Sequence, residues 1–329
     1  MARTLHDSWS LGDVSVPNRV VLAPLAGIGN WFVRLQAKRY GAGLVVSEMV
    51  SSFALHYRNE RTCRELLRIH PDEHPVSVQL FGHDPEVMAS AAEQVAAAGA
   101  DLIDINMGCP VPKVCKTGAG AALLEDPVRA VALARAAARG SGLPVTVKLR
   151  TGLRPGDRSG VETARRLAFD GAVAGLGIHP RHASQRHTGQ PDYALARALV
   201  EELPVPVMIS GGLHTAEKAR DAFERTRADA VLLARGSLGN PWLFAQLLEL
   251  ENVPSDPSAE EILAEIDWVM ERAREHLGSE RAARYLRKFY PWYVQRLGGD
   301  KALQAALQQT ATLEAARKLL SSGPLAAAA

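Results

Sequence analysis

The chain predicts an α/β protein, a (β/α)8 TIM barrel followed by a smaller, all-helical C-terminal domain. Three observations carry that expectation. Short β-branched runs alternate with longer, Ala-rich amphipathic stretches from about Arg19 to Leu250. Eight such pairs fit this span, which suits a closed barrel better than an open doubly wound sheet. Past a stretch rich in proline and small polar residues at 252–258, the strand-like runs cease and the pattern is helical to about Ser321.

The expected strands, in order, are residues 20–24, 44–48, 76–80, 102–106, 145–149, 175–179, 206–210 and 230–233. Each is a run of Val, Ile and Leu of strand length. Between them, residues 85–98, 127–139, 161–169 and 215–224 carry apolar residues at helical spacing and often open on Asp, Ser or Pro, which suit a helix N-terminus. Domain limits follow: 1–250 for the barrel, 251–258 for a linker, and 259–329 for a helical domain with a flexible C-terminal tail. Active groups in this fold sit at the C-terminal ends of the strands. Those ends read Pro24, Glu48, Gln79, Asn106, Lys148, His179, Ser210 and Arg235, nearly all polar.

With 329 residues, 47% of them hydrophobic, the chain can bury one large core and still supply a second domain. It has no apolar run of membrane-spanning length and no secretory signal, so a soluble, cytoplasmic protein is expected. Its three cysteines, Cys63, Cys109 and Cys115, form no C-x-x-C pair, which supports neither a disulfide framework nor a metal site. A net charge of +2 does not itself imply a nucleic-acid partner. Charge is concentrated, however. Residues 272–296 hold seven Arg and Lys against two Glu, with Arg281, Arg284 and Lys288 at helical spacing and Tyr290, Trp292 and Tyr293 next to them. Such a face is either plain solvated surface or a platform for RNA phosphates and bases.

A series of segments then stands out at the strand ends. They are Ala23-Pro24-Leu25-Ala26-Gly27, Ser47-Glu48-Met49, Val78-Gln79-Leu80-Phe81-Gly82, Asp104-Ile105-Asn106-Met107-Gly108-Cys109-Pro110, Val147-Lys148-Leu149-Arg150-Thr151-Gly152, Ile178-His179-Pro180-Arg181, and Arg235-Gly236-Ser237-Leu238-Gly239-Asn240-Pro241-Trp242. In this order they resemble the motif series of the tRNA-dihydrouridine synthases, most closely the bacterial B-type branch. Arg287-Lys288 with Trp292-Tyr293 resembles a motif of that family's helical domain.

The resemblance implies non-covalently bound FMN, NADPH as electron donor and tRNA as substrate, with no protein partner expected. Hydride would pass from the flavin N5 to uracil C6, and Cys109 would give the proton to C5. Lys148, Gln79 and Asn106 would contact the flavin ring, Asn106 also the uracil, and Pro24, Leu25 and Ala26 would form its rim. Ser210, Gly211, Gly212, Ala234 and Arg235 would hold the phosphate, where barrels commonly place one. The family often has Asn-Gly-Asp at 210–212 and Gly-Arg at 234–235, changes that leave backbone donation intact. His179 would touch ring or phosphate, Arg181 would meet RNA or flavin, and Lys113, Lys116, Arg284, Arg287 and Lys288 would meet RNA. Cys115 and His187 are expected to be structural and surface residues, respectively. Two alternatives share these features: an FMN barrel enzyme acting on a free pyrimidine, like dihydroorotate dehydrogenase, or a tRNA-binding protein without turnover. The first has no need of a basic helical appendage, and intact Gln79, Cys109 and Lys148 speak against the second.

Overall fold

Alternation of inward and outward residues along short strands closes the barrel. A computed structural model describes residues 3–322. The tail expected at the C-terminus falls on residues 323–329, outside the described ones. Strands β1 (Val20–Leu22), β2 (Leu44–Val46), β3 (Val76–Phe81), β4 (Leu102–Met107), β5 (Val145–Arg150), β6 (Gly175–His179), β7 (Val207–Ser210) and β8 (Ala230–Leu233) pair in parallel, each with the next. β8 returns to β1, with Val231 opposite Val20, and the sheet is closed. Helices α1 (Trp31–Arg39), α2 (Ser52–His56), α3 (Pro85–Ala97), α4 (Pro127–Ser141), α5 (Ser159–Phe169), α6 (Tyr193–Glu202) and α7 (Ala216–Thr226) follow β1 to β7 in turn. Asp84 and Asp126 cap α3 and α4 by accepting from first-turn N–H groups, and Pro85 and Pro127 follow where a missing N–H costs nothing.

Along β3, β4 and β5 the outward residues Val78, Leu80, Ile103, Ile105, Val147 and Leu149 pack with helix residues such as Ala91, Leu133 and Leu167. Each such side chain, fully buried, contributes roughly 1.5–3 kcal/mol. Toward the mouth, the inward residues of the same strands include polar side chains that register sets side by side. Gln79 lies opposite Asp104, Asp104 opposite Thr146, Asn106 opposite Lys148, and Arg150 opposite His179.

One element is absent from the sequence expectation. Trp9–Leu11 and Val14–Val16 form an antiparallel hairpin whose turn contains Gly12 at φ 61°. Trp9, Leu11 and Val16 join an apolar cluster with Val21, Leu44, Leu102, Met208 and Ala230 from inside the barrel. A Cβ on Gly175 would stand 2.5 Å from Leu11 Cδ2, so glycine at the start of β6 makes room for the hairpin. The base of the barrel is filled.

The chain divides into two compact units, to Arg235 and from Gly236 onward. This division falls before the boundary at 250 expected from sequence, because the loop after β8 packs within the second unit. A Cβ on Gly239 would lie 2.7 Å from Trp292 Cβ, and the Arg296 guanidinium lies 5.4 Å from the ring of Trp242. Among the described residues the regular elements of the second unit are helices and no strands: α8 (Trp242–Leu247), α9 (Ala259–Leu277), α10 (Ser279–Leu286), α11 (Tyr290–Arg296), α12 (Lys301–Gln309) and α13 (Leu313–Ser322). A capping box between Ser258 and Glu261 starts α9. Among the described residues no helix is long and apolar enough to cross a membrane.

The basic face departs from expectation. α10 stops at Leu286, and Pro291 in the first turn of α11 has no N–H with which to continue one helix through Lys288. Arg284 is exposed and paired with Glu280, and Lys288 is exposed with its ammonium 3.7 Å from the centre of the Tyr285 ring. Arg287 is half-buried and donates from Nη2 to Thr310 O at 3.0 Å, tying α10 to the end of α12. Tyr290 and Tyr293 are fully buried. They are core side chains, not the platform for bases that the sequence pattern allows.

Candidate active site

Four inward side chains of β3, β4 and β5 form one hydrogen-bonded relay. Thr146 Oγ1 donates to Asp104 Oδ1 at 2.7 Å, and Gln79 Nε2 donates to Asp104 Oδ2 at 2.6 Å. Asn106 Nδ2 donates to Gln79 Oε1 at 2.8 Å. Asn106 Oδ1 then accepts from the backbone N–H groups of Gly108 at 3.2 Å and Cys109 at 2.9 Å. On the far side of Cys109, its carbonyl accepts from Ala121 N at 3.0 Å and from Cys115 Sγ at 3.3 Å. The peptide that carries Cys109 is therefore held from both ends. Cys115 serves it as a hydrogen-bond donor, in keeping with the structural role expected.

The charges of the site respond to burial. Burial pushes the Cys109 thiol above its ordinary value, so it is protonated at neutral pH. Asp104 is raised to about 6, chiefly by burial, against the hydrogen bonds from Gln79 and Thr146. Lys148 is lowered to about 8, first by burial and then by Arg150. Its Nζ lies 3.4 Å from Ser210 Oγ.

Across the mouth, His179 Nε2 lies 2.9 Å from Arg181 Nη1. A guanidinium can only donate, so Nε2 accepts and the ring proton sits on Nδ1. Burial, helped by Lys148, Arg150 and Arg181, keeps the ring neutral. His187 is exposed, as expected, and its ring stacks at 5.9 Å on that of His179. Arg181, expected to meet RNA or flavin, is only 5% exposed and its second nitrogen donates to Gly189 O at 2.7 Å. Packed this way, it braces His179 and the 182–189 loop. Lys113 and Lys116 stand exposed on or beside the short helical turn Pro112–Cys115, just after Cys109.

The β7 and β8 loops supply anion-binding chemistry. Gly211 and Gly212 have φ of 101° and 81°, a region that favours glycine. At Gly211 a Cβ would meet the His179 ring at 2.7 Å. Among the described residues, the N–H groups of Gly211, Gly212 and Arg235 meet no protein acceptor, and the Arg235 side chain is exposed. Such a donor set, next to cations, fits a phosphate. Tyr193 OH donates to Gly211 O at 2.7 Å and fixes the turn. On the other side of the mouth Pro24 is half-buried, Leu25 buried and Ala26 exposed. Gly27 N donates to Glu48 Oε2 at 2.8 Å, joining that rim to the β2 loop.

Sequence reasoning assigns no role to Asp104, Thr146, Arg150 or Tyr193. Arg150 is 3% exposed and donates to Gly108 O at 2.9 Å and Arg186 O at 2.9 Å, pinning two loops. The period of two along β4 and β5 is the available signal, since it puts Asp104 on the face of Asn106, and Thr146 and Arg150 on the face of Lys148.

Comparison with known proteins identifies the family. The family model described as "Dihydrouridine synthase (Dus)" matches residues 21–327. tRNA-dihydrouridine synthase B of Pseudomonas aeruginosa is 36% identical over 303 residues, covering 90% of this chain and 89% of that protein. The enzyme of the same name from Pasteurella multocida is 36% identical over 299 residues, covering 90% of each. Among solved structures, morphinone reductase in complex with tetrahydroNAD superposes with a TM-score of 0.53 at 15% identity, covering 78% of this chain and 93% of that one. A likeness at that identity speaks to the barrel fold alone.

Proposed function

Since the chain belongs to the dihydrouridine synthase family, we propose that it binds FMN and uses NADPH to reduce uridines of tRNA to 5,6-dihydrouridine. The relay that ties Gln79 and Asn106 to the peptide of Cys109, beside Lys148, is the observation that supports this most strongly. When bound, reduced FMN supplies a hydride for uracil C6 and is restored by NADPH. The chain must then supply a proton at C5. Cys109 suits that task because burial keeps its thiol protonated until a strongly basic carbon forms next to it.

Lys148 offers a cation to the flavin edge that gains negative charge on reduction. Gln79 and Asn106 offer N–H groups to carbonyl oxygens of the flavin or uracil. Gly211, Gly212 and Arg235 would hold the phosphate through backbone N–H groups and a guanidinium, with Ser210 and Ala234 flanking them and neutral His179 close by. Pro24, Leu25 and Ala26 would line the rim. The donor set fits the group.

Purified protein is expected to be yellow and to release FMN on denaturation. With NADPH it should form dihydrouridine, detected by mass spectrometry, in tRNA but not in free uridine. A colourless protein that takes up no added FMN would refute the reading, and turnover of the free pyrimidine would redirect it.

RNA contact is assigned to exposed cations: Lys113, Lys116, Arg284 and Lys288. Neutralising Arg284 and Lys288 together should flatten the dependence of log tRNA affinity on log salt by roughly one to two units, one for each phosphate no longer neutralised. Flavin content should not change. An unaltered slope in a folded double variant would show those residues to be solvated surface. Arg287 belongs in a separate variant, because its bond to Thr310 O makes it a structural tie.

A further inference from the structure

We propose that Asp104 is a positioning residue that fixes which hydrogen-bonding face Gln79 and Asn106 present in the mouth of the barrel. An amide side chain has two ends of nearly equal shape, so packing alone does not decide which end is N–H and which is C=O. In this barrel the decision is made at the two ends of the relay. Asp104, 4% exposed, accepts from Thr146 Oγ1 at 2.7 Å with one carboxylate oxygen and faces Gln79 with the other. It obliges Gln79 to turn its NH2 toward it, at 2.6 Å. Gln79 Oε1 is then left to accept from Asn106 Nδ2 at 2.8 Å. At the other end the N–H of Cys109 can only donate, and it takes Asn106 Oδ1 at 2.9 Å. One assignment satisfies all four groups.

The consequence reaches the ligand. Gln79 Oε1 is turned to Asn106, and Asn106 Oδ1 is occupied by two backbone N–H groups, so the group Gln79 has free beyond the relay is its second amide hydrogen. Asn106 has only a weak further contact, 3.7 Å from Nδ2 to Met49 Sδ. The pair therefore presents donors, the chemistry that recognises the carbonyl oxygens of a pyrimidine or of the flavin's pyrimidine edge. This rests on the proposed function for the identity of the ligand, but the relay itself does not.

Thr146 makes the idea testable with substitutions of nearly equal size. In Asp104→Asn, the new amide can keep its oxygen toward Gln79 by donating its NH2 to Thr146 Oγ1, which preserves the relay. In Thr146→Val, Asp104 still accepts from Gln79. In the double variant, the amide at position 104 has no hydroxyl to receive its NH2. With its oxygen kept toward Gln79 that buried NH2 goes unpaired, and with the amide turned over Gln79 and Asn106 reverse and Asn106 meets the Cys109 N–H donor to donor. Either way the relay ends on a buried group without a partner.

Each single variant should weaken FMN binding by less than about threefold, whereas the double variant should weaken it by about tenfold to a hundredfold, as expected when a buried donor loses its acceptor. At saturating tRNA, kcat should fall in the double variant with KM for tRNA kept, and the bound flavin's absorption bands should shift. The same coupling should appear in melting temperature of the FMN-free protein, with the double variant lowered by more than the two singles together. Additive effects in both measurements would overturn the proposal. An Asp104→Asn loss as large as that of the double variant would also overturn it, since charge and not acceptor orientation would then be at work. Should the double variant not fold, Asp104→Leu replaces it: a folded protein with parental FMN affinity and spectrum refutes the role. Coupling in melting temperature from a parent that takes up no FMN would uphold the relay and refute the flavin reading.

Discussion

Cys109→Ala is expected to retain FMN and its reduction by NADPH, while dihydrouridine formation in tRNA falls by about 10²–10⁴-fold, the usual contribution of a positioned acid. The selectivity of that loss follows from how the residue is held. Its peptide is fixed through Asn106 and Ala121, backbone contacts that alanine keeps, so the relay and the loop survive while the proton source goes. Rapid-mixing measurement of the two half-reactions separates the outcomes. Cys115→Ala, which removes a thiol donor from a carbonyl that also accepts from Ala121, should change turnover only a few-fold. An active Cys109→Ala and an inactive Cys115→Ala would require a different acid.

Lys148→Met is expected to move stability and activity in opposite directions. The folded chain binds the Lys148 proton less tightly than an ordinary lysine does, with the pKa lowered from 10.5 to about 8. The charged side chain is therefore a burden on the fold below pH 8, and the burden fades as pH rises from about 8 toward 10.5. Removing it should stabilise the FMN-free protein near pH 7 by on the order of 1–3 kcal/mol, the lower end allowing for the missing cation beside Asp104. That gain should shrink in melts above pH 9. Flavin reduction should slow by about 10²–10³-fold, the scale of one electrostatic contact to a developing charge. A variant that melts lower at pH 7 and reduces its flavin at the parental rate would contradict both halves.

Much of this site is legible because barrel strands expose their logic in a period of two. Gln79, Asn106 and Lys148 each interrupt an apolar alternation, and each lies inward at the mouth. The same rule applied one step deeper points to Asp104 and Thr146. They are easily passed over because a polar residue in mid-strand has no local sign of what it bonds. The hairpin at Trp9–Leu11 escapes notice for a different reason: two three-residue strands are too short to show periodicity. In the helical unit, spacing suggests one basic face through Lys288, but Pro291 and the burial of Tyr290 and Tyr293 impose a break that charge spacing does not reveal. Arg181 shows the converse, a cation whose sequence context suggests a ligand and whose surroundings use it as a brace.

The hairpin beneath the barrel has a consequence for traffic. Trp9, Leu11 and Val16 fill the floor with apolar side chains, which leaves the polar strand ends as the doorway for a ligand among the described residues. An electron donor and an electron acceptor arriving at the same mouth would share that doorway. Discrimination among visitors then falls on the loops around the threshold.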